Sequence, residues 1–259
     1  MIREYVKNGL IGMAALVCVA SRFVPGAQPA PLLSPPVLMA AERPSVTTDK
    51  PSDNVLAIRI DSALRALTSA VRPLSHPKAL ETAFRSYFAY VNAHPSDVKK
   101  PLLYFVDYGL PSTEPRGYVF NMNTMSILEG PFTVAHGRGS SVSRYGVPTR
   151  FSNGFGSAMT SLGLYVAQEL YRFTGHAGGM TYSSVGLRLQ GVTRGSNDNA
   201  RARGVVAHGA PYVSATKAGR SEGCPAMEEQ RAERVLPELA NGGMVFLFAP
   251  ESQLLASTE

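Results

Sequence analysis

The chain has 259 residues, is 44% hydrophobic and carries a formal net charge of +6, enough apolar material for one substantial core and a smaller appendage. No apolar stretch beyond the N-terminus reaches the length of a membrane span, so none is expected in the mature chain. The basic excess suits contact with an anionic polymer, or is simply solvated surface; zinc-finger spacing, aromatic-rich RNA motifs and basic heptads are missing, which excludes nucleic acid as the expected partner.

Residues 1–20 open with Arg3 and Lys7 and run through LIGMAALVCVA, an apolar segment of signal-peptide length. Cleavage after Ala20 removes Cys18 and leaves Cys224 as the single cysteine of the mature chain. Residues 21–55 are rich in Pro, Ala and Ser, a composition that neither nucleates a helix nor pairs in a sheet, and are read as a linker.

Residues 56–97 are expected to form a small helical cap. Ser62–Val71 and Lys78–Ala93 repeat apolar residues every three or four positions, with Leu80, Phe84, Tyr87, Phe88 and Val91 on one side, a core-facing stripe. Pro77 opens the second helix and Pro95 follows it. His76 and His94 border these helices and read as surface residues.

From residue 98 to 259 short β-prone runs alternate with Gly, Pro, Asn and Ser: 102–107, 118–122, 132–136, 162–168, 185–190, 205–208 and 244–248. That spacing predicts a mainly β domain. Glu228–Leu236 is its predicted helix, stopping before Pro237. Asn197, Asp198 and Asn199 are read as turn-fixing residues.

The stretch GVVAHGAPYVSATKAGRSEGCPAM, 204–227, concentrates the chemistry. A short apolar strand delivers His208, and after fifteen intervening residues the chain returns with Cys224. A free thiol is only about 3% ionised at neutral pH. An imidazole that takes its proton and leaves an ion pair recovers about 2 kcal/mol of that deficit. Gly223 permits close approach of a carbonyl, and the N–H groups of Gly223 and Cys224 are candidate oxyanion donors. The bland alternative is an inert buried cysteine and a core histidine.

The pattern H-G followed by S-x-G-C, with fifteen residues between the histidine and the cysteine, together with VAHGRGSSVSRYGVPTRFSN (134–153), TSLGLYV (160–166), LRLQGVTRGSNDNARARGVVAHGA (187–210) and GRSEGCPAM (219–227), resembles the murein L,D-transpeptidase catalytic domain, the YkuD-type cysteine transpeptidases. The resemblance covers about residues 100–250. The sequence departs from the commonest motif at Glu222, where a histidine is frequent, and at Pro225-Ala226, so contacts made by those side chains do not carry over. The resemblance implies an L,D-transpeptidase-like β-sandwich or barrel and export to the periplasm or cell envelope. It also implies a Cys224–His208 acyltransferase acting on peptidoglycan stem peptides: Cys224 releases D-alanine, forms a thioester and passes the acyl group to an amine, giving a 3-3 cross-link or protein attachment. Carbapenems are expected to acylate the same cysteine. In this family a backbone carbonyl commonly orients the histidine.

An L,D-carboxypeptidase and a non-catalytic wall-binding module remain the alternatives. A cysteine endopeptidase usually places its cysteine ahead of its histidine, the reverse of the order here. Ser221 is read as loop support, and Arg220, His136, Gly209 and His176 as substrate-binding candidates, His176 on a Gly-rich loop over the site. Arg201 and Arg203 are either carboxylate partners or surface charge. No cofactor and no metal are expected, because the chain lacks a second mature cysteine, a His-x-His and an HExxH arrangement.

Overall fold

A computed structural model describes residues 53–251; the predicted signal peptide and nearly all of the linker lie outside the described residues. In chain order come helices α1 (Asp53–Leu67) and α2 (Ala79–Ala93), then strands β1 (Leu102–Asp107), β2 (Gly117–Asn121), β3 (Ser126–Phe132) and the short β4 (His136–Gly137). Two long strands follow, β5 (Gly163–Ala177) and β6 (Met180–Gly191), and then β7 (Val206–Gly209). Four two-residue pieces, β8 (Val213–Ser214), β9 (Lys217–Ala218), β10 (Arg220–Ser221) and β11 (Ala226–Met227), lead to helix α3 (Glu229–Leu239) and strand β12 (Met244–Phe248). The chain is mainly β, as its sequence predicts.

Every residue of β1 is buried, which requires cover on both faces and a central place in a sheet. β1 has both: eight strands form one mixed sheet in the order β11-β7-β6-β5-β12-β1-β2-β3, parallel at β12–β1 and β11–β7 and antiparallel elsewhere. Period-two alternation sends Leu102, Tyr104 and Val106 into one core and Leu103 and Phe105 into the other.

The second core is closed by α1 and α2. Leu80, Phe84, Tyr87 and Phe88 are buried there and Val91 partly so, as the stripe predicts, with Phe84 edge-on to Phe120 at 5.7 Å. Each such large apolar side chain contributes about 1.5–3 kcal/mol. α1 begins at Asp53 rather than Ser62 because Leu56 and Ile60 extend the stripe backward. The first core is closed by α3 through Ala232, Val235, Leu236 and Leu239. This helix runs past Pro237: a proline in the last turn forfeits one hydrogen bond, and burying Leu239 offsets it. Among the described residues no helix is long and apolar enough to cross a membrane.

Two further features position the site. Beyond β3, the Ala135 N–H donates to the Ala226 carbonyl at 2.8 Å, so the chain leaving one end of the strand order bridges to β11 at the other. β5 and β6 stay paired out to Ala177 and Met180, turning through Gly178-Gly179, both at positive φ (58° and 81°) as a two-residue hairpin turn demands. The segment read as a Gly-rich loop is therefore the end of a long hairpin.

Candidate active site

Val205 and Ala207 enter the α3 core, so alternation turns His208 to the other side of β7. There it lies between β6, where it pairs with Gly186, and β11, where it pairs with Ala226. Its Nδ1 lies 2.9 Å from the Gly209 carbonyl oxygen. A carbonyl only accepts, so Nδ1 carries the proton and Nε2 is left as the basic nitrogen. Phe173 from the hairpin stacks on the ring with centroids 4.1 Å apart. Burial lowers the imidazole pKa to about 4, against a smaller opposing effect of the Gly209 hydrogen bond.

Cys224 lies two residues before Ala226, and so beside β7. Its loop is shaped by Gly223, whose φ of +126° would strain any side chain and whose added Cβ would stand 2.8 Å from the Met159 carbonyl. Ser221 closes the loop: its Oγ accepts from the Gly223 N–H at 3.1 Å and donates to the Cys224 carbonyl at 2.7 Å. The Gly223 N–H is thus already engaged. Cys224 is half-buried. Burial pushes its thiol pKa up, opposed by a hydrogen bond from the Val206 backbone and by the Arg203 charge, while Glu222 adds to the rise.

The surroundings of the two groups work against the ion pair anticipated from the sequence. Among the hydrogen bonds of the described residues none joins Cys224 to His208, and burial favours the neutral form of both groups, raising the acid and lowering the base.

The remaining candidates divide by environment. His136 is fully buried; Arg116 donates to its Nδ1 at 3.0 Å, so Nε2 carries the proton, and among the described residues that buried N–H has no partner. Burial, Arg116 and Arg220 together lower its pKa to about 3. Gly209 is a packing residue: an added Cβ would meet Ser184 Oγ at 2.3 Å and the Glu229 Cα at 2.9 Å. His176 is exposed near the hairpin end, with Nδ1 3.1 Å from Thr181 Oγ1. Together with Arg138, Arg144, Arg220 and Tyr212 it lines a cavity of about 320 Å³.

Arg203 is bound into the protein, donating to the Ser152 and Met159 carbonyls at 2.8 and 2.9 Å and to the Ser157 and Ser161 hydroxyls at 3.2 Å. Arg201 pairs with Glu169 at 2.8 Å on the surface. Asn197 fixes its turn as expected, its Oδ1 accepting from the Thr193 N–H and its Nδ2 donating to the Leu164 carbonyl, both at 2.9 Å.

Sequence reasoning missed Arg116 and the tyrosines. Arg116 is fully buried, donating to the Val134 and Leu110 carbonyls and lying over Tyr108 at 4.7 Å. A thiolate at Cys224 would raise the phenol pKa values of Tyr108, Tyr165, Tyr171, Tyr182 and Tyr212. These phenols come from segments scattered along the chain, so no local spacing announces them. Among the described residues no three His, Cys, Asp or Glu side chains cluster as a metal site requires.

Comparison with known proteins gives this geometry a context. Similar solved structures include an L,D-transpeptidase from Mycobacterium smegmatis (14% identity, covering 57% of this chain and 59% of that one, TM-score 0.35). Another is an L,D-transpeptidase from Mycobacterium tuberculosis H37Rv (18% identity, 57% of each chain, TM-score 0.31). The chain thus spans less than two thirds of the length of each. No curated protein matches it. The family model described as L,D-transpeptidase catalytic domain matches residues 73–248. That match takes in α2, α3, all the strands of the eight-stranded sheet, the hairpin and the Cys224 loop, and leaves α1 outside; the chain belongs to the L,D-transpeptidase catalytic-domain family.

Proposed function

We propose that this protein is an exported cysteine L,D-transpeptidase of the periplasm or cell envelope, acting on peptidoglycan stem peptides. The observation that carries the reading is the 2.9 Å contact between His208 Nδ1 and the Gly209 carbonyl. It leaves Nε2 as base on the strand to which Ala226 ties the cysteine loop. Cys224 and His208 rest neutral. As the donor peptide binds and excludes water, Sγ attacks the carbonyl that precedes the terminal D-alanine while its proton passes to Nε2. The Cys224 N–H receives the developing oxyanion. An imidazole held at a pKa of about 4 surrenders that proton readily to the leaving amine; the C–N bond breaks, D-alanine departs and a thioester remains. An amine of a second stem peptide or of a protein, or water in the carboxypeptidase variant, then attacks the thioester carbonyl and gives up a proton to His208 Nε2; the C–S bond breaks and the proton returns to Sγ, which restores the thiol.

The test is mass spectrometry of the purified protein with a disaccharide tetrapeptide, run beside Cys224→Ala. Loss of D-alanine and a thioester-sized adduct on the parent alone are expected, together with a carbapenem adduct on Cys224. If parent and variant alike retain the peptide without cleaving it, the enzyme reading fails and the wall-binding module replaces it.

A further inference from the structure

The cavity beside the cysteine loop has a charge pattern that the chemistry above does not use. Arg138 follows β4, Arg144 stands further along the same exposed connection and Arg220 lies on β10; two separate segments thus bring three guanidinium groups to one space of about 320 Å³, with His176 and Tyr212 completing the wall. One carboxylate answers them: Glu222, with both oxygens within 2.9 Å of Arg138 Nε. Among the described residues no salt bridge reaches Arg144 or Arg220. Among the described residues Arg220 Nη1 meets the Ser141 and Val142 carbonyls at 3.3 and 3.5 Å, long contacts that leave most of its donor capacity open.

The cavity also communicates with the nucleophile. Arg220 and Glu222 belong to the loop that ends in Cys224, and Tyr212, which lines the cavity, is within electrostatic reach of both Glu222 and a thiolate at Cys224. A volume at the lower end of the ligand-pocket range holds a side-chain-sized group and not a sugar polymer. A guanidinium pair without an internal counter-ion is matched by a carboxylate, which it binds through paired, charge-assisted hydrogen bonds.

We infer that Arg144 and Arg220 form the subsite that reads a free carboxylate of the acyl-donor peptide, and that Glu222 tempers it by occupying Arg138. This rests on the stem-peptide reading above. A stem whose third residue is a diamino dicarboxylic acid offers two free carboxylates near the scissile bond, that of the terminal D-alanine and that of the third side chain, and the experiment separates them.

The peptide is titrated calorimetrically into the full chain carrying Cys224→Ala, which removes any effect of thiol ionisation. Three tetrapeptides are used: with free carboxylates, with the C-terminus amidated, and with the third-residue carboxylate amidated. Arg144→Ala, Arg220→Gln and Glu222→Gln are each added to the Cys224→Ala background. Arg144 is exposed, so its removal spares the fold. Expected is a Kd about tenfold weaker for the free peptide in each arginine variant and several-fold tighter with Glu222→Gln. One amidated peptide should bind the unmodified background as weakly as the free peptide binds the arginine variants, with no further loss when an arginine is also removed. That peptide identifies the carboxylate.

Equal Kd values for all three peptides in every background overturn the inference, as does the absence of binding. These outcomes are distinguishable from failure of the enzyme reading, which is scored separately by D-alanine release from the chain that retains Cys224. Release with carboxylate-independent binding removes the subsite alone, whereas carboxylate-dependent binding without release removes the chemistry alone.

Discussion

The Phe173 ring lies over the His208 imidazole, with centroids 4.1 Å apart and planes inclined by 23°. The hairpin thereby covers the base and desolvates it. Phe173→Ala opens that face to water and relieves the burial that holds the pKa at about 4. The imidazole pKa should rise by about one unit or more toward its ordinary value of about 6.5, seen as a shifted NMR titration of the His208 ring protons. The acid limb of the kcat/KM profile should move the same way. An unchanged titration would show that the burial comes from elsewhere.

Ser221 joins both sides of the nucleophile's loop through Gly223 and Cys224. Ser221→Ala strands a buried N–H and a carbonyl, a loss of about 2 kcal/mol. For a protein of this size the melting temperature should fall by about 4–8 °C. Ser221→Thr, which keeps the hydroxyl, should recover most of it.

Arg203 places a cation within electrostatic reach of the thiol while fixing the chain between Ser152 and Ser161. Removing that charge disfavours the thiolate, so Arg203→Ala should raise the apparent thiol pKa by about half a unit to one unit, measured from the pH dependence of iodoacetamide alkylation. Arg203→Lys keeps the charge without the planar fork; it should lose stability while moving the thiol pKa less. A thiol pKa equal in all three proteins would remove Arg203 from the electrostatics of the site.

His208 and His136 are held at about 4 and about 3 in the folded chain, against about 6.5 when unfolded. Below pH 6.5 the unfolded state therefore binds protons that the folded state refuses. Stability is complete above that pH and falls with acidification, by up to about 1.4 kcal/mol per pH unit for each histidine until its folded pKa is reached. Urea midpoints at pH 7 and pH 5 should show a loss of about 2 kcal/mol per histidine, and His136→Gln should remove one such share. The same pH dependence in His136→Gln and parent would contradict the assignment.

Much of this was legible where local pattern and tertiary demand agree. The α2 stripe announced Leu80, Phe84, Tyr87 and Phe88, and the apolar run before His208 announced β7. The full length of the hairpin is hidden in the sequence because the glycines at 175, 178 and 179 suggest a loop. The decisive signal was the alternation of Tyr171 and Phe173, resumed by Tyr182 across the Gly-Gly turn. Pairing of Cys224 with His208 as an ion pair looked plausible from residue type alone, yet it depends on burial, which a sequence does not display. Arg116 was invisible for a related reason: a fully buried arginine is rare, and its partners are mostly backbone carbonyls that carry no residue signature.

The strands around the cysteine loop meet through Ala135, Ala210, Ala218 and Ala226, all without exposed surface. Ala226 joins the base-bearing strand on one edge and the strand of His136 on the other. The spacing of the reactive groups is consequently gauged by methyl groups. Replacing any of these four alanines by a larger residue would act as a spacer, prising thiol from imidazole without touching either. Tolerance to substitution should thus be poorest at the chemically blandest positions of the site.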